Sequence, residues 1–323
     1  MRIAKIQVAA LALPLSRPFK TALRTVDSLC DVAVRVTADT GETGYGEAPP
    51  TAVITGETTA SIRSAVLDYI KPALLGRDPE DLEDVMARLR SCMVHNTSAK
   101  AAVDMALYDL VCKHRGVPLY RFLGGARERF ETDITISVNP VPEMVADSLD
   151  AVRRGFRCLK IKVGKEGLGD VARVAAVRKA VGGNVTLRVD ANQGYSAAEA
   201  VAVISRMEAD GLDIELVEQP VPAEDFDGLL AVTRAVKTPV LADESVFSPA
   251  DARRILDAHA ADLINIKLMK TGGIHEALRI CDLAERAGVT CMIGCMLESK
   301  LSVSAAVHLA AARAVITRAD LDG

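Results

Sequence analysis

From about residue 126 the sequence settles into one rhythm: a short β-branched run, then a helical stretch of ten to fifteen residues, repeated about every 25 residues. Strand-like runs fall at 132–137, 159–163, 185–189, 214–217, 239–241, 263–266 and 290–293, and 314–317 reads as an eighth. Helical stretches fall at 143–154, 168–181, 196–209, 224–236, 248–258, 273–287 and 299–312. A rhythm that neither pauses nor reverses predicts a parallel (β/α)7β TIM-like barrel over 126–323, with an open doubly wound sheet as the alternative.

The first 125 residues read differently. Strand-like alternation at 3–13, 31–37 and 43–47, with the turn Asp39-Thr40-Gly41-Glu42, predicts a small antiparallel sheet. Helical patterning follows from 58 to about 123, broken at Gly76-Arg77-Asp78-Pro79 and at Asn96-Thr97-Ser98. A separate N-terminal α+β domain over 1–125 is expected, with Gly124-Gly125 as its boundary.

Composition narrows the partners. Half of the residues are apolar, a quarter are charged, and the net charge is −4 with no sustained basic run, which argues against nucleic acid. There is no cleavage signal behind the N-terminus and no apolar run near the roughly 20 residues of a membrane span, so a cytoplasmic protein with no membrane partner is expected. The seven cysteines include no C-x-x-C pair, and the five histidines never stand at H-x-x-x-H spacing. Any metal should therefore be hard and oxygen-bound.

The strand ends suggest where it would sit. Asp190 closes the third run, Glu218 the fourth and Asp243 the fifth, which places one carboxylate per strand along one rim of a barrel. Singly, each reads as well as a helix N-cap or first-turn acid; together they repel unless a cation such as Mg²⁺ or Mn²⁺ neutralises them. Lys160 and Lys162 share a strand face because side chains alternate, and Lys267 ends the sixth run. A snorkelling or ion-paired lysine is the plainer reading of any one of them. Lysines on both sides of a metal suit removal of a proton α to a carboxylate on one face and its return on the other. For that, burial, the metal charge and, at Lys162, the neighbouring Lys160 are expected to lower the lysine pKa.

These residues resemble the enolase superfamily, muconate-lactonizing subgroup, over nearly the whole chain: Lys160-Ile161-Lys162, Asp190-Ala191-Asn192, Glu218-Gln219-Pro220, Asp243-Glu244-Ser245, and Lys267 followed by Thr271-Gly272-Gly273. The resemblance implies a capping domain over a (β/α)7β barrel. It also implies Mg²⁺ on Asp190, Glu218 and Asp243, an acid/base pair in Lys162 and Lys267, and Lys160 at the substrate carboxylate.

Within the subgroup the chain is similar to dipeptide epimerases of the L-Ala-D/L-Glu type. Asp320-Leu321-Asp322-Gly323 resembles their D-x-D motif, which implies that Asp320 and Asp322 hold a substrate ammonium. Residues 47–57 resemble a loop covering the site, and Arg24, in the flexible-looking segment 16–27, is placed to bind a glutamate side chain. Thr135, Cys295 and Glu298 match positions near the substrate. Family members continue past the D-x-D motif with a tail; the sequence stops at Gly323, so that tail is expected to be absent.

The reaction implied is inversion of the second α-carbon of a dipeptide, L-Ala-L-Glu to L-Ala-D-Glu, in recovery of cell-wall peptides, by a homo-oligomeric isomerase. Alternatives are a cycloisomerase or o-succinylbenzoate synthase on the same barrel, a metal-free Schiff-base lyase, or a non-catalytic binding protein.

Overall fold

The structure, a computed structural model, describes residues 1–20 and 25–322. Strands β1 (Ile3–Lys20), β2 (Thr25–Ala38) and β3 (Thr43–Ala48) form an antiparallel sheet in that order. The β1–β2 pairing runs out to Phe19↔Val26 and Lys20↔Thr25, past a register irregularity between Pro14 and Phe19. Arg24 lies outside the described residues.

Alternation along β2 buries Val32, Val34 and Val36 on the face toward the long helix Thr97–Arg115. That helix lies unusually close to β3. A Cβ built on Gly44 or Gly46 would come within 1.9 Å of the carbonyls of Ala106 and Ala102, so only glycine permits the contact.

Eight parallel strands follow in strict sequence order: β4 (Ile134–Ile136), β5 (Cys158–Lys162), β6 (Thr186–Asp190), β7 (Ile214–Glu218), β8 (Val240–Ala242), β9 (Leu263–Lys267), β10 (Cys291–Gly294) and β11 (Ile316–Asp320). No strand is inserted out of order, which decides for the barrel over the doubly wound sheet. The eighth run lies slightly later than its pattern predicts and carries Asp320 at its end.

The seam between β11 and β4 is held largely by side chains. The Asp133 N–H donates to the Ala319 carbonyl at 3.2 Å, and the Leu321 N–H donates to Thr132 Oγ1 at 2.8 Å. The Thr135 N–H donates to the Asp322 carboxylate.

Period-two alternation sends one set of side chains outward under the helices and the other into the barrel. Leu216, Leu241, Leu263 and Met292 form an apolar cluster on β7 to β10. Toward the remaining strands the interior is ionic: Arg188 on β6 bonds Asp133 at 2.7 Å and Glu215 of β7 at 2.6 Å, and Arg318 on β11 bonds Glu215 at 2.8 Å. A register shift between Leu187↔Ile214 and Arg188↔Leu216 makes Glu215 the extra residue, which re-aims it toward the two arginines.

Two acids of the first 125 residues cap barrel helices. Glu47 on β3 accepts from the N–H groups of Ser299 and Ser302 at 2.8 and 3.2 Å, at the start of helix Lys300–Ala312. Asp104 accepts from Ile274 and His275 at 2.6 and 3.2 Å, at the start of helix Ile274–Ala287. Each carboxylate meets unpaired N–H groups and the positive helix end. Both helices begin just beyond strand C-termini, so the same contacts seat the N-terminal region over that mouth of the barrel.

Candidate active site

Asp190, Glu218 and Asp243 stand at the C-terminal rim as the alternation requires, all buried. Asp190 and Glu218 are register partners on neighbouring strands. None caps a helix: the caps that follow are Ser196, Asp225 and Ser248. The chain turns sharply just after the acids, with Asn192, Gln193 and Gln219 at φ of 42°, 67° and 35°. The Asn192 N–H donates to Asp190 Oδ1 at 2.8 Å, and Gln219 Oε1 accepts from the Asp243 N–H at 2.9 Å. These turns fix the carboxylates by hydrogen bonds that only the folded loops supply.

The lysines interleave with the acids. Lys160, 1% exposed, places its ammonium 2.9 Å from Asp190, 2.7 Å from Glu218 and 2.6 Å from Asp320. Lys162 bonds Asp190 at 2.6 Å, and Lys267 bonds Asp243 at 2.7 Å. Strands β5 and β9 lie four steps apart in an eight-stranded order, so Lys162 and Lys267 face each other across the barrel.

A fourth lysine escaped the sequence reading. Lys270, fully buried, reaches back to Asp243 Oδ1 at 2.6 Å and to the carbonyls of Asp243 and Asn265. Its position three residues after Lys267, in the single turn Leu268–Thr271, was the available signal.

The lowering expected of the lysine pKa invoked the metal charge; the protein's own groups pull Lys267 the other way. Burial lowers it, but the carboxylates, led by Asp243, outweigh burial and hold it well above the ordinary lysine value. Lys160 is held up in the same way by Asp190, Asp320 and Glu218 against burial. Crowding acts on the acids too. Burial and the neighbouring Asp190 push Glu218 up to about 7, and burial with Asp243 pushes Glu244 up to about 8.

The donor set fits a hard divalent cation. Glu218 Oε2, Asp243 Oδ1, Glu244 Oε2, Asn192 Oδ1 and Asn265 Oδ1 are buried and accept no hydrogen bond among the described residues, although ammonium groups lie near the first two. All are oxygens, the ligand type Mg²⁺ takes. A second gathering of acids stands beside the arc: oxygens of Asp133, Asp320 and Asp322 lie within 4.8 Å of one another. That group, and not the Asp190–Glu218–Asp243 arc, is the one that converges so closely among the described residues.

Over these groups lies a small cavity walled by Lys162, Lys267, Thr135, Cys295, Asp320 and Asp322, and roofed by Phe19, Val53 and Ile54 from the N-terminal region. Thr135 donates through its hydroxyl to Asp322 at 3.3 Å as well as through its N–H. Two candidates lie behind the wall rather than on it. Lys160 is beneath the floor, and the Glu298 carboxylate is taken up by the Met296 N–H at 2.6 Å and the Ser302 hydroxyl. Burial pushes Glu298 up to about 7.

The chain belongs to the mandelate racemase/muconate lactonizing enzyme group of enolase-type proteins. Residues 3–124 match the mandelate racemase/muconate lactonizing enzyme N-terminal domain, and residues 143–320 match the enolase C-terminal domain-like family. The chain is 56% identical, over its full length and 90% of the relative, to an L-Ala-D/L-Glu epimerase of Clostridium acetobutylicum. The solved substrate-liganded L-Ala-D/L-Glu epimerase of Bacillus subtilis superposes with a TM-score of 0.98 at 52% identity, covering all of this chain and 90% of that one. A dipeptide epimerase of Enterococcus faecalis complexed with Mg and L-Leu-L-Tyr superposes at 0.96 with 43% identity, over the same shares.

Proposed function

We propose that the protein is a Mg²⁺-dependent dipeptide epimerase that interconverts L-Ala-L-Glu and L-Ala-D-Glu. The observation that carries this reading is the pair Lys162 and Lys267, both buried, facing one cavity from opposite sides of a barrel. Inversion at a carbon needs a proton removed on one face and returned on the other, and two amines so placed supply both. Asp190, Glu218 and Asp243 would hold the Mg²⁺, which when bound stabilises the negative charge that grows on the substrate carboxylate.

Lys162 and Lys267 each take or give the proton at Nζ, exchanging roles with the direction of the reaction. Asp320 and Asp322 receive the N-terminal ammonium, with Thr135 fixing Asp322. An acidic cavity wall of this kind favours the ammonium of a dipeptide over a cycloisomerase or o-succinylbenzoate synthase substrate, which carries none. Lys160 is placed to hold the acids in register from below, and Arg24 is assigned to the glutamate side chain through the resemblance alone. The domain division 1–125 and 126–323 follows the change from antiparallel sheet to barrel.

The test is deuterium incorporation at the second α-carbon in D2O with Mg²⁺ and a dipeptide library. Lys162→Ala and Lys267→Ala should each abolish exchange from one stereoisomer and spare it from the other, a loss of at least about 10³-fold on the affected side. Equal loss from both isomers in each variant sinks the two-base reading.

A further inference from the structure

The seam of the barrel carries a third acid that the sequence reading left out. Asp133 stands two residues before Thr135 and is 1% exposed. Its Oδ2 accepts from Arg188 Nη1 at 2.7 Å, while its Oδ1 is buried with no hydrogen-bond donor among the described residues. An oxygen of Asp133 lies within 4.8 Å of Asp320 and Asp322, both on the cavity wall.

Among the described residues the cations bonded to these acids, Arg188 and Lys160, are both shared, while Lys162 and Lys267 act on Asp320 from the same cavity. Arg188 also bonds Glu215 at 2.6 Å, and Lys160, which reaches Asp320, also serves Asp190 and Glu218. Burial, with the neighbouring Asp320, holds the Asp133 carboxyl above the ordinary aspartate value, so its charge is drawn out when a further cation arrives, and its buried oxygen without a donor marks where that cation is wanted. Asp133 is also fixed to the segment it would influence, since its N–H and the Arg188 guanidinium both donate to the Ala319 carbonyl, one residue before Asp320.

We propose that Asp133 is a positioning residue of the ammonium pocket: held by Arg188 behind Asp320 and Asp322, it adds the third negative charge that selects a protonated amine over a neutral amide. The inference rests on the reading of Asp320 and Asp322 as partners of the substrate ammonium. Arg188 keeps Asp133 still, so its carboxyl meets the ammonium from a preset place rather than by side-chain movement. The low dielectric of the seam strengthens that field.

The test compares wild type, Asp133→Asn and the double variant Asp133→Asn/Arg188→Gln, whose neutral pair avoids stranding a buried guanidinium. For L-Ala-L-Glu, KM should rise at least about tenfold in both variants with kcat kept within about threefold. The inhibition constant of N-acetyl-L-Ala-L-Glu, which lacks the ammonium, should stay within about twofold, so selectivity for the free amine narrows about tenfold. Equal weakening of both peptides, or an unchanged KM, overturns the inference, and the double variant carries the test if Asp133→Asn does not fold. Wild type that exchanges no dipeptide would sink the epimerase reading instead. Calorimetric binding of the free and acetylated peptides would then still decide the role of Asp133.

Discussion

The two halves of the barrel interior follow the same alternation and are filled with opposite chemistry. Under β7 to β10 the filling is Leu216, Leu241, Leu263 and Met292, the side chains a barrel core ordinarily uses. Toward β4, β5, β6 and β11 it is Asp133, Lys160, Arg188 and Arg318, bonded through Asp320 and through Glu215, which β7 contributes from the border of the two halves. The apolar half gains from leaving water. The ionic half must repay the cost of burying charge with near-ideal pairing, which makes it a poor source of stability and a good source of fixed geometry. The difference teaches that this barrel is stabilised on one side and organised on the other.

Breaking each half should therefore give different phenotypes. Lys160→Met leaves Asp190, Glu218 and Asp320 without their shared cation; activity should fall by more than about 10³-fold and stability by roughly 3–5 kcal/mol. Leu263→Ala should cost about 2–5 kcal/mol in chemical denaturation while kcat, in the fraction that stays folded, holds within a few-fold. Activity lost in equal measure from both would erase the distinction.

A gentler probe works at the top of the barrel. A Cβ on Gly294 would come within 2.9 Å of Lys267 Cε and of Asn265 Oδ1, both ends of side chains that can shift. Gly294→Ala should thus lower kcat by about 10-fold or more, through a displaced Lys267, with a stability change of no more than about 1 kcal/mol. An unchanged kcat would mean that Lys267 tolerates displacement.

The smallest expected effect is a slope with pH. Glu218 at about 7 and Glu244 at about 8 lie above the unfolded glutamate value of about 4.3, so between those limits the folded protein keeps protons that the unfolded chain has lost. Without metal, melting temperature should fall as pH rises from about 5 to 8, and Mg²⁺ should flatten the slope. The paired Asp190 and Asp320 are held below the ordinary aspartate value, so their stabilisation is kept across that window and lost only in stronger acid. A melting temperature that rises with pH over 5 to 8 would contradict the crowding of the acids.

How much of this was legible varied with the range of the interaction. Asp190, Glu218, Lys160, Lys162 and Lys267 could be placed because period two and strand polarity carry a residue to a face and a rim. Lys270, Gln219 and Asn265 escaped because their partners come from other loops and strands. Glu298 was expected near the substrate, and only the fold shows that its carboxylate accepts from the Ser302 hydroxyl and the Met296 N–H. The lowered lysine pKa was expected from burial together with the metal charge, and the carboxylates that the fold sets against Lys267 pull the other way.

The sequence by itself determined the order of strands and helices, the change of architecture near residue 125 and the acids and amines at the strand ends, since each follows from local periodicity. Tertiary structure alone decided which charges pair, how Glu47 and Asp104 seat one region on the other, and that Asp133 stands behind Asp320 and Asp322. Those outcomes depend on distances between segments far apart in the chain, and electrostatic energy is set by such distances and by burial, neither of which a linear order contains.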